Sequence, residues 1–230
     1  MPRAQNPHPL QPTNIEIGTS VQNRPLTVYT MGSGKTRILI LGGIHGSEGT
    51  SSYVAEQLLD YLSTHPQHLK NRTIAMYPRA NPDGLSRGIR TNANHVDLNR
   101  NFPARNWTRL RTPGYDGGPN PLSEPESRAL DSYIRQFSPD VIISIHSIDR
   151  NRQQNNYDGP ARYIAEAMAP HNHYPVTDNI GYPTPGSLGS YAGIDQQIPT
   201  ITLELPRTQP GPDAWENNRD ALLAAIAAAK

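Results

Sequence analysis

The sequence predicts an α/β sandwich whose central sheet is largely parallel. Short apolar segments alternate along the chain with segments that have helical spacing, which is the pattern of successive strand and helix units. The apolar segments are nearly continuous, as expected of strands that are covered on both faces. The length of 230 residues suits one domain with a substantial core, and the chain contains no internal repeat.

The apolar segments are the predicted strands, and each is followed by a candidate helix. The strands are expected in TRILILGG (36–43), PDVIISIHS (139–147), IPTITLELP (198–206) and NRTIAMYPRANPDG (71–84), the last being a short strand that runs into a turn. Helices are expected in SEGTSSYVAEQLLDYLSTH (47–65), SEPESRALDSYIRQF (123–137), PARYIAEAMA (160–169) and PDAWENNRDALLAAIAAAK (212–230). Ser123 is the expected N-cap of the second helix. Residues 103–123 are predicted to form a long loop, and residues 1–14 a flexible N-terminal arm.

Composition excludes several classes of protein. The chain has 21 basic and 20 acidic residues, so its charge gives no reason to expect nucleic acid or an anionic membrane as a partner. No stretch approaches the length of a transmembrane helix. The N-terminus lacks the apolar segment of a signal peptide, so a cytoplasmic location is expected, with a trimmed secreted form as the alternative. There is no cysteine, so a metal site would use His, Asp and Glu.

Reactive side chains fall at one recurrent position. His45, His146 and Glu204 each lie at or just beyond the C-terminal end of a predicted strand. In open α/β sheets, ligands bind in the crevice outside that edge of the sheet. The three side chains are therefore expected to meet at one site.

The segment HGSE (45–48) places His45 and Glu48 three residues apart where a strand turns into a helix. Residues at this spacing lie close together, so both side chains can reach one cation. With His146 they would form a His₂Glu set, which in catalytic zinc sites leaves the fourth position open. The alternative is a capping Glu beside an ordinary His, and the second His at a strand end favours the metal site.

The segment GIRTNANHVDLNRNF (88–102) concentrates polar residues in a non-periodic stretch. Asp97 could accept the second N–H of His45, because a ligating His commonly donates to a carboxylate. Asn99 and Arg100 could hold a substrate carboxylate through charge-assisted contacts. Ordinary solvated loop residues are an equally good interpretation of this segment.

The remaining histidines are interpreted as surface residues. His95 is expected to face solvent or substrate, and His171 and His173 are expected to be solvated in a proline-bounded connection. Three further histidines are expected to be exposed: His8, His65 and His68.

Together these residues resemble the zinc carboxypeptidases of the M14 family. The shared motifs occur in order between residues 41 and 206: HGSE, NPDG, GIR, VDLNRNF, SIHS, GYPTPGS and LEL. No single motif is decisive, but the ordered set is highly specific. The resemblance implies a three-layer α/β/α sandwich with a mixed, largely parallel central sheet, and a single zinc peptidase catalytic domain over residues 15–230.

The resemblance also implies a role for each matching residue. It implies that His45, Glu48 and His146 bind one Zn²⁺, with Asp97 hydrogen-bonded to the first His. Glu204 matches the general base and Arg90 the arginine that stabilises the oxyanion. Three residues match the positions that bind substrate: Asn99 and Arg100, which hold its terminal carboxylate, and the mobile Tyr182. The implied partner is a peptide with a free C-terminal carboxylate.

Within the family, the chain most resembles the murein peptide amidases, which cleave the γ-D-glutamyl–meso-diaminopimelate bond. The segments that carry this resemblance are GIRTNANHVDLNRNFPARNW, LSEPESRAL and VTDNIGYPTPGSLGSY. His95 and Ser147 depart from that branch, which usually has Gly and Asp there, and both are expected near the substrate pocket. A position near Gly189 is expected to face the terminal side chain, and Gly there suits a long polar one.

Other functions remain to be weighed against a murein amidase. A zinc carboxypeptidase of ordinary peptides would need the same residues. An inactive peptide-binding module is disfavoured because the set of reactive residues is intact, and an aspartoacylase-like deacylase because NPDG and VDLNRNF occur with a Tyr182 loop. The chain lacks the G-x-S-x-G turn of serine hydrolases and the glycine patterns of nucleotide-binding proteins.

Overall fold

The computed structural model describes residues 11–149 and 151–230. Within these residues, one sheet contains the strands Thr13–Thr19 (β1), Pro25–Gly32 (β2), Thr36–Leu41 (β3), Arg72–Tyr77 (β4), Val141–Ile148 (β5), Gln154–Asp158 (β6), Val176–Thr177 (β7) and Thr200–Pro206 (β8). The α-helices are Gly49–Thr64 (α1), Pro82–Arg87 (α2), Pro125–Phe137 (α3), Arg162–Asn172 (α4) and Gly211–Ala228 (α5). Short 3₁₀ segments lie at Pro66–Leu69 and Leu98–Arg100, and a π-helix spans Gly189–Asp195.

The sheet is mixed, with a parallel centre, as predicted. Its strand order is β1-β2-β4-β3-β5-β8-β6-β7. The neighbours β4, β3, β5 and β8 are parallel to one another. On one side β2 and β1 are added antiparallel, and on the other side β6 pairs antiparallel with β8. The four central strands are those that the apolar segments predicted.

Helices cover both faces of the sheet, which makes three layers. On one face, α1, α4 and α5 bury apolar side chains such as Leu58, Ile164 and Leu222 against the strands. On the other face, α3 packs beside the loop around Phe102 and the π-helix. Burying one such aliphatic side chain contributes about 1.5–3 kcal/mol. The predicted α/β/α sandwich is confirmed.

The start of α3 differs from the prediction, because the N-cap is Glu124 and not Ser123. The Ser123 hydroxyl donates to Glu124 Oε1 and accepts from Asn101 Nδ2, at 2.7 and 3.0 Å. It is therefore not available for the first turn of the helix. Asn101 Oδ1 in turn accepts from the Glu124 backbone N–H.

Two smaller expectations also change. Thr13 and Asn14 begin β1, whereas residues 1–10 of the predicted arm lie outside the described residues. His65 and His68 are half-buried and not exposed, because both pack near Tyr61. His171 and His173 are exposed as expected, and His8 lies outside the described residues.

In the described part of the chain, no helix has the length and apolar character needed to cross a membrane.

Candidate metal centre and substrate cavity

Three buried side chains converge at the carboxyl edge of the central strands. His45 Nδ1 lies 2.9 Å from Glu48 Oε1, and His146 Nδ1 lies 3.1 Å from Glu48 Oε2. The two imidazole Nδ1 atoms are 3.2 Å apart. In the described ranges, this is the one group of three or more His, Asp or Glu side chains that is close enough to share a metal ion.

The spacing of these atoms fits a zinc ion. Nitrogen ligands lie about 2.0–2.1 Å from zinc, and in a tetrahedral arrangement two ligand atoms are then about 3.3 Å apart. The three contacts of 2.9–3.2 Å agree with that separation. The set is two imidazoles and one carboxylate, which is a ligand set of catalytic zinc sites. The predicted cluster of His45, Glu48 and His146 is therefore present and suited to zinc.

The turn that follows β3 places the first two side chains. Glu48 is the N-cap of α1, and its backbone N–H donates to the His45 carbonyl at 3.0 Å. Gly46 lies against the backbone of Gly84, where an added Cβ would be 2.0 Å from a backbone carbon. Glycine is thus required at position 46, and the HGSE turn is packed tightly against the start of α2.

The NPDG segment fixes this turn, a role that the sequence did not indicate. Asn81 Nδ2 donates to the Ile44 carbonyl at 3.3 Å, and Asn81 Oδ1 accepts from the Gly84 backbone N–H at 2.9 Å. The buried carboxylate of Asp83 accepts from Ser20 Oγ and pairs with Arg24. The segment therefore joins the metal-site turn to the loop between β1 and β2.

Asp97 lies behind His45, as predicted. Its Oδ1 is 3.0 Å from His45 Nε2, so that the Nδ1 atom of His45 is left to face Glu48. Its Oδ2 accepts from Arg90 Nε at 2.9 Å. Burial favours a higher pKa for Asp97, but the charges of His45 and Arg90 outweigh burial and hold the pKa well below its usual value.

Replacing Asp97 with Asn is expected to weaken metal binding by about 10–100-fold, because the neutral amide no longer orients His45 as a carboxylate does. Asn keeps an oxygen for the backbone N–H of Asn99, which Asp97 caps at 3.0 Å. The affinity can be measured by competition with a chromophoric chelator. Asp60→Asn, at an exposed position of α1, is the control. Equal affinities for the two variants, both folded, would remove Asp97 from the metal site.

Glu204 stands beside the metal cluster on the neighbouring strand. It is paired with His146 in the register of β5 and β8, and it is buried at 5% exposure. Burial raises its pKa to about 7, with a smaller contribution from the negative charge of Glu48. A carboxylate with such a pKa can exchange a proton near neutral pH. The position on the rim that the sequence predicted is confirmed.

A polar cavity of about 930 Å³ opens above these residues. Its wall includes the three clustered side chains, the two predicted catalytic residues and the three predicted substrate-binding residues, which are His45, Glu48 and His146, Glu204 and Arg90, and Asn99, Arg100 and Tyr182. The structure thus brings the predicted site residues together around one space large enough for a peptide end.

Two arginines enter the cavity from the VDLNRNF region and the segment before it. Arg90 is oriented by Asp97 and lies 3.6 Å from Glu48 Oε1. Arg100 is 3% exposed, and its Nε has no hydrogen-bond partner in the described structure. Burial lowers the pKa of Arg100, which shows that its positive charge is costly to bury. An anion bound to the guanidinium would offset this cost. Asn99 Oδ1 accepts from the Leu188 backbone N–H at 2.9 Å, which joins this region to the π-helix.

Tyr182 lies at the mouth of the cavity and is 37% exposed. The guanidinium of Arg152 lies 5.7 Å from the centre of its ring. The ring is therefore held by one cation–π contact at the surface and not packed into the core.

Asp158 forms part of the inner wall, and sequence reasoning missed it. It ends the polar strand β6, and burial raises its pKa to about 6. Within the described residues it has no ion-pair partner, and its hydrogen bond from Asn156 Nδ2 is long at 3.4 Å. A Cβ at Gly189 would lie 2.2 Å from Asp158 Oδ2, so the carboxylate occupies the space that glycine leaves. Gly189 lines the cavity, as predicted.

The two positions that depart from the murein amidase pattern have different surroundings. Ser147 lines the cavity, and its backbone N–H donates to Glu48 Oε2 at 3.0 Å. His95 is exposed and is not among the residues that line the cavity. Its φ of +62° lies in the left-handed region that favours glycine. The expectation that His95 lies near the pocket is therefore wrong, and the change at position 95 concerns the backbone of a surface turn.

Comparison with known proteins gives consistent results. The family model Peptidase_M14, described as zinc carboxypeptidase, matches residues 1–158. Murein peptide amidase A of Escherichia coli (strain K12) is 32% identical over 208 residues, which are 85% of this chain and 82% of that protein. Murein peptide amidase A of Vibrio campbellii (strain ATCC BAA-1116) is 34% identical over 208 residues, covering 84% of this chain and 79% of that protein. The crystal structure of murein-tripeptide amidase from Escherichia coli O157 superimposes with a TM-score of 0.76 at 29% identity, over 98% of this chain and 96% of that chain.

Proposed function

The chain belongs to the M14 family of zinc carboxypeptidases, and from this membership we propose that residues 15–230 form a hydrolase domain that cleaves murein peptides. The bond cleaved is the one between γ-D-glutamate and a C-terminal meso-diaminopimelate. The similarity to murein peptide amidases over most of both chains supports this substrate class. The observation that carries the choice of a substrate with a cationic terminal side chain is the half-buried Asp158 carboxylate, which faces the cavity without a cationic partner in the described residues.

One Zn²⁺ is the proposed cofactor, held by His45, Glu48 and His146. Zinc supplies Lewis-acid activation of the attacking water and of the scissile carbonyl. The protein orients this ligand set through Asp97 behind His45 and through the Ser147 backbone N–H on Glu48.

Glu204 is the proposed general base. Its carboxylate accepts a proton from the attacking water and later donates it to the leaving amine. Its burial next to His146 supports this role, because burial raises its pKa to about 7 and keeps bulk water away. Arg90 is proposed to donate to the oxyanion that develops on the scissile carbonyl. Loss of one such donor typically costs about 2.7–4 kcal/mol.

Arg100 and Asn99 are proposed to bind the terminal carboxylate of the substrate. Two observations support this role: Arg100 is buried, and its Nε has no hydrogen-bond partner among the described residues. With the carboxylate fixed, the bond one residue away lies over the metal cluster, which selects the terminal amide for cleavage. Tyr182, half-exposed at the cavity mouth, is proposed to close over the bound peptide.

Asp158 is proposed to bind the distal ammonium of diaminopimelate. A half-buried carboxylate that has no counter-ion among the described residues gains most from a substrate that brings a positive charge. The same argument leaves a second candidate, a carboxypeptidase that removes C-terminal lysine or arginine from ordinary peptides, since Asp158 would also pair with these side chains.

Release of free meso-diaminopimelate from L-Ala-γ-D-Glu-meso-diaminopimelate tests the proposed function. Release is expected with added zinc and is expected to be lost with a chelator, then restored by zinc. Matched α-linked peptides that end in lysine, arginine or alanine should be cleaved much more slowly. Efficient cleavage of the lysine and arginine peptides, with no release from the murein peptide, would instead establish the second candidate.

Replacing Asp158 with Asn is expected to lower kcat/KM for the murein peptide by about 30-fold or more, because the ammonium would then be buried without an opposite charge. The analogue that ends in a neutral side chain of similar length should lose much less. Asp178→Asn is the matched control, since Asp178 lines the cavity at an exposed position. An equal loss on both substrates would argue that Asp158 only supports the fold of the wall.

A further inference from the structure

Arg207 is a cation at the cavity that the proposed reaction does not yet use. It directly follows β8, three residues beyond Glu204, and its side chain is 33% exposed. Its backbone N–H donates to the Ile148 carbonyl, and its guanidinium donates to the Ser147 carbonyl at 3.1 Å. These contacts to the end of β5 hold the side chain beside the metal cluster, where it lines the cavity.

The guanidinium of Arg207 retains capacity to bind an anion. Its NH2 atom lies 3.6 Å from Glu48 Oε1, and its Nε lies 2.9 Å from Asp149 Oδ1. Among the described residues, no group makes a well-aligned hydrogen bond with this Nε, and the Asp149 side chain is 57% exposed. An ion pair with such an exposed partner contributes little. Glu48, the other nearby carboxylate, is assigned to the metal.

Arg207 and Asp158 lie on opposite sides of Glu204. Asp158 is paired with Thr200, four residues before Glu204 on β8. At about 3.3 Å per residue, the Cα atom of Asp158 is therefore displaced from that of Glu204 by about 13 Å in one direction along β8, and the Cα atom of Arg207 by about 10 Å in the other. If the side chain of the terminal residue extends towards Asp158, the residue that precedes the scissile bond extends towards Arg207.

The substrate carries a second carboxylate on that side. A glutamyl residue linked through its γ-carboxyl keeps its α-carboxylate free, separated from the scissile carbonyl by about 5 Å of extended chain. An ordinary α-linked peptide has a neutral backbone amide at the corresponding distance. A guanidinium 3.6 Å from a metal ligand is within reach of such a carboxylate.

We propose that Arg207 is a specificity residue, whose guanidinium binds the free α-carboxylate of the γ-linked glutamyl residue on the amino side of the scissile bond. This inference rests on the proposed function. A planar guanidinium binds a carboxylate in a forked contact that it cannot make with a neutral amide. Arg207 would thus help to distinguish γ-glutamyl linkages from ordinary peptide bonds. Among the described residues, the other cavity arginine that is not proposed to contact substrate is Arg152, which is exposed and lies over the ring of Tyr182.

The test compares two substrates that differ only at this group: L-Ala-γ-D-Glu-meso-diaminopimelate and the same peptide with the α-carboxylate converted to a carboxamide. The unmodified zinc enzyme is expected to prefer the carboxylate peptide. In Arg207→Gln, the ratio of kcat/KM for the two peptides should fall by about 10–100-fold. This is the change in affinity that corresponds to losing one hydrogen bond to a charged group. Arg207→Lys should keep part of the ratio, because the charge remains. Arg152→Gln should keep all of it.

Other outcomes would overturn the inference in distinguishable ways. An equal loss on both peptides, together with lower zinc content, would mean that Arg207 only positions Glu48 and Ser147. Loss of the preference in Arg152→Gln, with a full ratio in Arg207→Gln, would assign the carboxylate to Arg152. Failure of the unmodified enzyme on both murein peptides, with cleavage of lysine-ended peptides, would refute the proposed function itself.

Discussion

Replacing Glu204 with Gln is expected to reduce kcat by about 10²–10⁴-fold while zinc remains bound. Gln has the same shape and keeps a hydrogen-bonding oxygen, but it cannot accept the proton of the attacking water. Glu204 is not one of the three clustered side chains, so metal affinity should change little. The variant should be assayed at saturating murein peptide, with zinc content measured on the same sample.

The control for this experiment is Glu216→Gln, at an exposed position of α5, which should keep full activity. Thermal unfolding of both zinc-loaded proteins would show whether the buried substitution has altered the fold. If Glu204→Gln were folded, zinc-bound and nearly as active as the unmodified enzyme, a different residue would have to be the base. A low kcat with low zinc content would mean that Glu204 acts on the metal site instead.

Replacing His146 with Ala is expected to abolish activity and to lower zinc affinity by more than the roughly 10–100-fold typical of residues that only orient a ligand. The substitution removes one of the three clustered side chains, whose nearest nitrogen and oxygen atoms are 2.9–3.2 Å apart. Only His45 and Glu48 would then remain, which is one protein ligand fewer than the three of a catalytic zinc site. Zinc content after dialysis, and affinity by chelator competition, measure the effect.

His171→Ala, at an exposed position near the end of α4, is the matched control and should keep full zinc content. Full zinc occupancy in His146→Ala would mean that another residue completes the site. Partial occupancy that is restored by added imidazole, together with some activity, would support His146 as a direct ligand, because imidazole can fill the space that the side chain leaves.

The central strands and the metal cluster were predictable for physical reasons that act locally. A strand buried on both faces must be almost wholly apolar, so β3, β4, β5 and β8 are visible as apolar segments. The spacing of His45 and Glu48 brings them together within one turn. Parallel strands deliver their carboxyl ends to the same edge, so His146 and Glu204 were expected at the same site.

The edge strands were not predicted, because their sequences lack the continuous apolar pattern of the central strands. β1 is mostly exposed, and the sequence of β6, QNNYD, is polar although its first three residues are buried. Buried amides such as Asn155 are stabilised by side-chain partners that are distant in sequence, here Asn172 on α4. Neither periodicity nor hydropathy reveals such a pair.

Local patterns along the chain were enough to predict the fold class, the order of the central elements and the members of the metal cluster. These features depend on burial patterns and on residues that are neighbours along one turn or at equivalent strand ends. Three features became visible only in the folded chain: Asp158 and Arg207 line the same cavity, Asn81 fixes the HGSE turn, and His95 lies away from the site. These depend on how β6 and the loops fold against β8 and α2, because a polar side chain becomes part of a site through its three-dimensional neighbours and not through its residue type.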